Sequence, residues 1–158
     1  MISILYSVLI GLLGGVLSTI AMTISEIPSW KKWGLLGVFE WHENQIITLR
    51  LFHISDLQHI HFKGIFLFHF LNGALAGIVF PFIGSFFTSV IHYVMPFSLL
   101  GILYSIALWI LTLVPIHKPI TGLSPWSHPL GHLPLLASLG GHIVYGIVLG
   151  IVVSLSQR

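Results

Sequence analysis

Long apolar stretches alternate with polar links along this chain. Asp, Glu, Lys and Arg are absent from residues 1–25, 64–117 and 119–157. A charged side chain at the centre of a bilayer costs roughly 2.5–3.5 kcal/mol, and a spanning helix needs about 20 apolar residues. The pattern therefore predicts an all-α integral membrane protein that forms a four-helix bundle. The predicted helices cover about residues 2–25, 64–85, 96–114 and 134–155.

Prolines mark several ends of the predicted helices. Pro96 and Pro134 stand in a first helical turn, where the missing N–H has no intrahelical acceptor to lose. Pro115 is expected to close the third helix, and Pro81 is expected to kink or stop the second. The link from Pro115 to Leu133 contains four prolines, so it is expected to be extended and stiff.

The composition agrees with one membrane domain over residues 1–158. Hydrophobic residues make up 56% of the chain and charged residues 6%, and the mean hydropathy is +1.01. A soluble domain carries about 25% charged residues, so a water-soluble core is excluded. The net charge of +2 without a basic cluster predicts no nucleic-acid partner. The absence of Cys excludes disulfides, thiolate metal sites and cysteine nucleophiles.

Basic residues are distributed unevenly between the two predicted membrane faces. The face that carries the first and third links has Lys31, Lys32, Arg50, Lys63 and Lys118, whereas the other face has only Arg158. The positive-inside rule therefore predicts a plasma or inner membrane protein with cytoplasmic links and external termini.

The first link, residues 26–63, is long, amphiphilic and rich in histidine. Between Leu35 and Phe62 it is predicted to form a helix that lies on the membrane surface. The apolar side chains that share one face of this helix are Phe39, Ile46, Ile47, Ile54 and Leu57.

Two segments share the pattern His-x3-Gly-x3-Gly, at residues 69–77 and 142–150. Each copy lies in an even-numbered helix, so the pattern raises the hypothesis of a duplicated two-helix unit. The paired glycines place two missing side chains on one helix face, which favours close helix packing or leaves room for a flat ligand such as haem. These helix-packing residues are Gly73, Gly77, Gly146 and Gly150.

His69 and His142 lie inside predicted spanning helices, and ionisable groups at such positions are functional hypotheses by default. If they face each other, they are candidate ligands of haem iron, copper or zinc. Alternatively, each is a neutral imidazole that donates to a backbone carbonyl or a serine. Glu26 closes the first helix, where it either partners one of these histidines or faces lipid headgroups.

A second polar group lies on the loop-rich face and is a candidate metal site. His53, Asp56 and His59 are three residues apart, a helical spacing. His59 and His61 would share one side of a strand, and His128 and His132 are four residues apart. The alternative is that these side chains only mark the headgroup boundary. The predicted metal ligands are His53, Asp56, His59, His61, His128 and His132.

The segment Gly141-His142-Ile-Val-Tyr145-Gly146-Ile-Val-Leu-Gly150 resembles the closing helix of small uncharacterised four-helix membrane families. This resemblance implies a four-helix fold and no particular activity. The chain contains no catalytic triad order, phosphate loop, dinucleotide fingerprint or paired intramembrane carboxylates, so no activity of its own is expected.

The first functional hypothesis is therefore an accessory subunit of a larger membrane complex, such as a metal-dependent oxidoreductase. Its partners would be the lipid bilayer and other membrane subunits. The alternative is a membrane protein whose own histidines ligate haem or a transition metal. A small transporter ranks third, because the predicted helices offer few polar side chains along a path.

Overall fold

The computed structural model describes residues 4–56, 59–90 and 95–156, and these residues form helices and connecting loops without strands. The helices are α1 (Ile4–Trp33), α2 (Phe39–Leu51), α3 (Phe62–Ser89), α4 (Phe97–Leu108), α5 (Val114–Thr121) and α6 (Leu133–Ser156). A π-helical segment, Trp109–Leu113, joins α4 to α5, and short 3-10 turns cover Gly34–Gly37 and Pro125–Ser127.

Four helical segments are long and apolar enough to cross a membrane. They are Ile4–Gly37, Phe62–Ser89, Phe97–Thr121 and Leu133–Ser156. The prediction of an all-α bundle with four such helices is confirmed. The orientation of the links and termini across the membrane stays a prediction.

The four spanning segments form an open arc in the order α3, α1, α6, α4. The first helix packs against both α3 and α6, and α4 packs along α6, whereas α3 and α4 touch only sparsely. Large side chains bridge these two ends of the arc: Phe80 lies 5.4 Å from Tyr104 between ring centroids, and the Tyr104 hydroxyl donates to the carbonyl of Ala76 at 2.7 Å. The two ends of the arc, α3 and α4, are therefore joined by side chains rather than by close contact of their backbones.

Glycines bring the backbones of α1 and α3 into contact. A Cβ added at Gly15 would lie 2.5 Å from the carbonyl oxygen of Gly73, and a Cβ added at Gly77 would lie 2.5 Å from the Cα of Gly15. These distances are shorter than any real Cβ contact, so no larger residue fits without moving a helix. The predicted packing positions Gly73 and Gly77 thus lie at a helix crossing.

Glycines also bring the backbones of α4 and α6 into contact. A Cβ added at Gly146 would collide with the backbone of Gly101, and one added at Gly150 would lie 2.7 Å from the Cα of Ser98. Each copy of the His-x3-Gly-x3-Gly pattern therefore packs against the spanning helix that precedes it. This pairing is the one that a duplicated two-helix unit would produce, and the duplication itself stays a prediction.

Three helices extend further than the sequence predicted. The first continues to Trp33 rather than ending near residue 25, α3 continues past Pro81 to Ser89, and the third span continues past Pro115 to Thr121. The π-helical segment ends two residues before Pro115 and includes residue 111, whose carbonyl would clash with the proline ring in a regular α-helix. The expectation of an extended link from Pro115 was wrong over α5 for this reason.

The predicted surface helix is shorter and more deeply placed than expected. Helix α2 ends at Leu51, and Leu57 lies outside the described residues. Much of α2 is buried against other helices, and the buried residues are Phe39, Trp41, Asn44, Gln45, Thr48 and Leu49. The polar side of α2 faces inward because the other helices offer partners for it, which a single-helix pattern does not reveal.

Candidate functional site

Three of the four side-chain carboxylates of this chain lie inside the bundle. Glu26 of α1 is 1% exposed, and Glu40 and Glu43 of α2 are 12% and 14% exposed. The fourth, Asp56, is exposed on the loop before α3, and every Lys and Arg that the structure describes is also exposed. The interior therefore collects acidic groups without a permanently charged basic partner.

Glu26 is held between α2 and α3. The indole Nε1 of Trp41 donates to Oε2 of Glu26 at 2.8 Å, and Nε2 of His69 lies 3.7 Å from the same oxygen. Its other oxygen, Oε1, is buried and has no hydrogen-bond partner among residues 4–56, 59–90 and 95–156. One alternative considered from the sequence, a Glu26–His69 pair, is thus brought together.

Glu40 lies at the centre of a second group of contacts. Trp109 Nε1 donates to Ser138 Oγ at 3.2 Å, and Ser138 Oγ in turn donates to Glu40 Oε1. Nδ1 of His142 lies 3.3 Å from Glu40 Oε1 and 3.1 Å from the carbonyl oxygen of Ser138. Glu26 and Glu40 are also close enough to interact directly. Paired carboxylates are therefore present, and the sequence concealed them because Glu40 belongs to a link.

Glu43 pairs with His117 of α5. Oε1 of Glu43 lies 2.8 Å from Nδ1 of His117. Burial, together with the charge of Glu40, raises the pKa of Glu43 to about 9. Glu43 is thus protonated and neutral at pH 7, because water no longer solvates the carboxylate. The protonated carboxyl is then able to donate to Nδ1 of His117, which leaves the imidazole proton on Nε2.

The stability of the fold is expected to depend on this carboxyl. Unfolded Glu43 loses its proton near its ordinary pKa of about 4.3, whereas the folded protein keeps it to about pH 9. Within that window folding takes up a proton, so stability falls as the pH rises. Glu43→Gln needs no proton to fold, so its free energy of unfolding at pH 8 is expected to exceed that of wild type by about 2 kcal/mol. This figure already allows for the loss of one hydrogen bond.

Unfolding in mixed micelles at pH 6 and pH 8 measures this effect, and Asp56→Asn is the control because that carboxylate is exposed. The assignment would be contradicted if Glu43→Gln were less stable than wild type at pH 8 and lost as much stability as wild type between pH 6 and pH 8.

Two further imidazoles lie beside this pair. Burial, together with the neighbouring rings of His117 and His128, lowers the pKa of His42 to about 4. Burial and His117 likewise lower the pKa of His128. The Nδ1 atom of His128 accepts the backbone N–H of Leu130 at 3.2 Å, so the neutral ring carries its proton on Nε2. These histidines are therefore neutral at pH 7 and do not balance the carboxylates.

A cavity of about 360 Å³ lies against Glu40 and Glu43, whereas Glu26 lies outside its lining. It is large enough for a small organic molecule. Its polar lining consists of Thr19, Glu40, Glu43, Asn44, His69, Asn72, Thr112, His142 and Tyr145. Most of the remaining wall is apolar and includes Met22, Leu75, Leu108, Leu113, Ile116 and Ile120.

The predicted cofactor ligands His69 and His142 both line this cavity, each beside a carboxylate. The six predicted metal ligands are not gathered in one place. His53, Asp56, His59 and His132 are exposed, and the rings of His59 and His61 lie 5.0 Å apart on the loop before α3, whereas His128 is buried beside Phe39. Within the described ranges, no three His, Asp or Glu side chains are placed to hold a metal ion.

The sequence placed Glu43, His42 and His117 with the polar residues of the loop-rich face rather than in an internal site, and it did not single out Glu40. A signal was present in α2, because Glu40, Glu43 and Asn44 follow the i, i+3, i+4 spacing of one helix face. The surface helix was predicted to bury its apolar face, whereas the bundle also turns these polar residues inward.

Comparison with known protein families, with curated proteins and with solved structures finds no match for this chain.

Proposed function

We propose that this chain is a membrane-embedded binding protein whose internal cavity holds a small organic cation. The observation that carries the proposal is the burial of Glu26, Glu40 and Glu43 in one place, while the described Lys and Arg side chains are exposed. A buried carboxylate is costly unless a cation or a proton neutralises it. A positively charged ligand would supply the neutralising charge that the exposed Lys and Arg side chains do not bring to this site.

An acceptor atom in the cavity wall supports a ligand that donates hydrogen bonds. Apart from the neighbouring carboxyl group of Glu26, Oε2 of Glu40 is buried without a partner in the part of the chain that the structure describes. Buried polar atoms in proteins are nearly always hydrogen-bonded, and an ammonium group offers three donors. A primary amine is therefore matched to the cavity residues Glu40 and Glu43 in charge, and to Glu40 in hydrogen bonding.

The shape of the cavity favours an organic cation over a bare metal ion. Both cavity carboxylates come from α2, and the other helices add aliphatic side chains such as Leu75, Leu108 and Ile116 to the wall. No set of three ligating side chains is formed among the described residues. A molecule with a charged end and an apolar body would fill both parts of the cavity.

Binding of a cation is linked to proton release at Glu43. Since burial raises the pKa of Glu43 to about 9, this carboxyl is neutral before a cation arrives. A positive charge nearby favours the ionised form, so the incoming amine displaces the proton. The site is thus an exchanger of one positive charge for another.

The test is equilibrium binding of tritiated methylamine, hexylamine and dodecylamine to the purified protein in nanodiscs, with empty nanodiscs subtracted. Glu40→Gln is expected to weaken binding roughly 10- to 100-fold, the value of a hydrogen bond to a charged group. Asp56→Asn is the matched control and is expected to bind like wild type, because Asp56 is exposed on a loop. The proposal fails if none of the amines binds above empty nanodiscs, or if Glu40→Gln binds as tightly as wild type.

The earlier hypotheses stay predictions. Mass spectrometry of gently extracted protein tests the accessory-subunit role, and its optical spectrum tests haem ligation by His69 and His142. A transporter would need access to the cavity from both membrane faces. In the described ranges the opposite half of the bundle is filled by apolar side chains, among them Phe80, Leu100, Leu149 and Val153. This packing favours a binding site over a continuous path.

A further inference from the structure

The cavity lies where the arc of helices is open. Helix α3 touches α4 sparsely and α5 even less, whereas the other neighbouring spans pack along their lengths. The cavity is lined on one side of this gap by Leu75 of α3 and on the other by Leu108, Thr112 and Ile116. The gap between α3 and α4–α5 therefore leads sideways from the cavity.

Residues at this gap belong to the cavity wall and to the outer surface at once. Leu75 is 54% exposed and Ile116 is 40% exposed, and both line the cavity. In a spanning helix such exposed aliphatic side chains face lipid tails. No charged side chain lies between Gly64 and Ile116, so the rim of the opening is uncharged, although the exposed lining residues Asn72 and Thr112 are polar.

The loop-rich end of the cavity is covered. Helix α2 packs against α3, α5 and α6, and it places buried Phe39 and Trp41 over the bundle. The Arg50 Nη2 atom donates to the carbonyl oxygen of Ile120 at 2.9 Å, which ties the end of α2 to α5. The opposite end is closed where the hydroxyls of Tyr104 and Tyr145 donate to the carbonyls of Ala76 and Gly73.

From this geometry we infer that the ligand reaches the cavity from the bilayer, through the gap between α3 and α4–α5, and that it is an amphiphilic alkylamine. The inference rests on the proposed function and specifies its substrate class. The ammonium group lies against Glu40 and Glu43, and the alkyl chain leaves through the gap past Leu75 and Ile116. An apolar chain gains from this path, whereas a small hydrophilic cation would have to cross lipid to use it.

The experiment compares two probes in nanodiscs: tritiated dodecylamine, which partitions into lipid, and tritiated methylamine, which stays in water. Dodecylamine is expected to bind at least about tenfold more tightly than methylamine after subtraction of empty nanodiscs. Leu75→Trp, which fills the gap, is expected to abolish that advantage. The matched control is Leu71→Trp, because Leu71 lies one turn earlier on α3 and is 48% exposed without lining the cavity.

Each outcome separates the inference from the proposed function. If methylamine binds as tightly as dodecylamine, or if Leu75→Trp and Leu71→Trp bind dodecylamine equally tightly, the ligand does not arrive from the bilayer. In that case, weaker binding by Glu40→Gln would still support the cation site. If neither amine binds, the proposed function itself fails, and the inference about its ligand falls with it.

Discussion

Below the pKa of Glu43, the affinity for an amine is expected to rise about tenfold for each unit by which the pH increases. Ionised Glu43 attracts the ammonium group, whereas protonated Glu43 must first lose its proton. With a pKa of about 9 for Glu43, affinity should increase about 100-fold from pH 6 to pH 8 and level off above pH 9. A primary amine with a pKa of about 10.4, like that of Lys, stays charged across this range, so the ligand does not cause the change.

Isothermal titration calorimetry of alkylamine binding in two buffers of different ionisation enthalpy measures the effect. About one proton should be released per amine bound at pH 7, the amount expected from one titrating carboxyl. Glu43→Gln should bind more weakly at pH 8 and lose the pH dependence, while Asp56→Asn should retain it. An affinity that is constant from pH 6 to pH 8 in wild type would show that Glu43 does not exchange its proton for the ligand.

The second large effect is expected at the crossing of α1 and α3. Gly77→Ala would place a methyl group 2.5 Å from the Cα and 2.7 Å from the backbone nitrogen of Gly15. Backbone atoms cannot move aside as a flexible side chain does, so the helices must separate. A loss of about 3 kcal/mol in the free energy of unfolding is expected, at the upper end of the range for overpacking.

Gly140→Ala provides the control for this substitution. Gly140 lies in α6, and a Cβ added there meets nothing within 4 Å. The control should therefore be neutral or slightly stabilising, because alanine favours a helix. Unfolding by sodium dodecyl sulfate, followed by circular dichroism, compares the variants. Equal stability of Gly77→Ala and wild type would mean that the two helices do not cross at these glycines in the membrane.

Hydropathy predicted the spanning helices because apolar length is a local property. The exact ends were harder to predict: α1 extends through Glu26 to Trp33 although the sequence becomes polar there, since Trp41 and His69 surround that carboxylate. Pro115 was expected to stop a helix, and the π-helical segment before it accommodates the ring instead. Both differences depend on contacts or backbone geometry that residue-by-residue signals do not contain.

The candidate site was predictable only in part. His69 and His142 were recognised because an ionisable group in an apolar run is conspicuous. Glu40 and Glu43 lie in a polar link, where carboxylates are ordinary, and only the docking of α2 against the bundle shows that they are internal. Which face of a short amphipathic helix turns inward depends on what the other helices present to it. For α2 they present His117, His142 and Ser138.

The burial of α2 also has a consequence for the order in which the molecule is made. Spanning helices enter a bilayer one by one because each is apolar by itself. Helix α2 has 13 residues and carries two carboxylates, so it is too short to span and too polar to insert alone. We therefore expect it to dock after the spans have assembled. The acidic wall of the cavity is then completed in the last step of biogenesis, and an assembly intermediate would have the spanning helices in place without the ability to bind a cation.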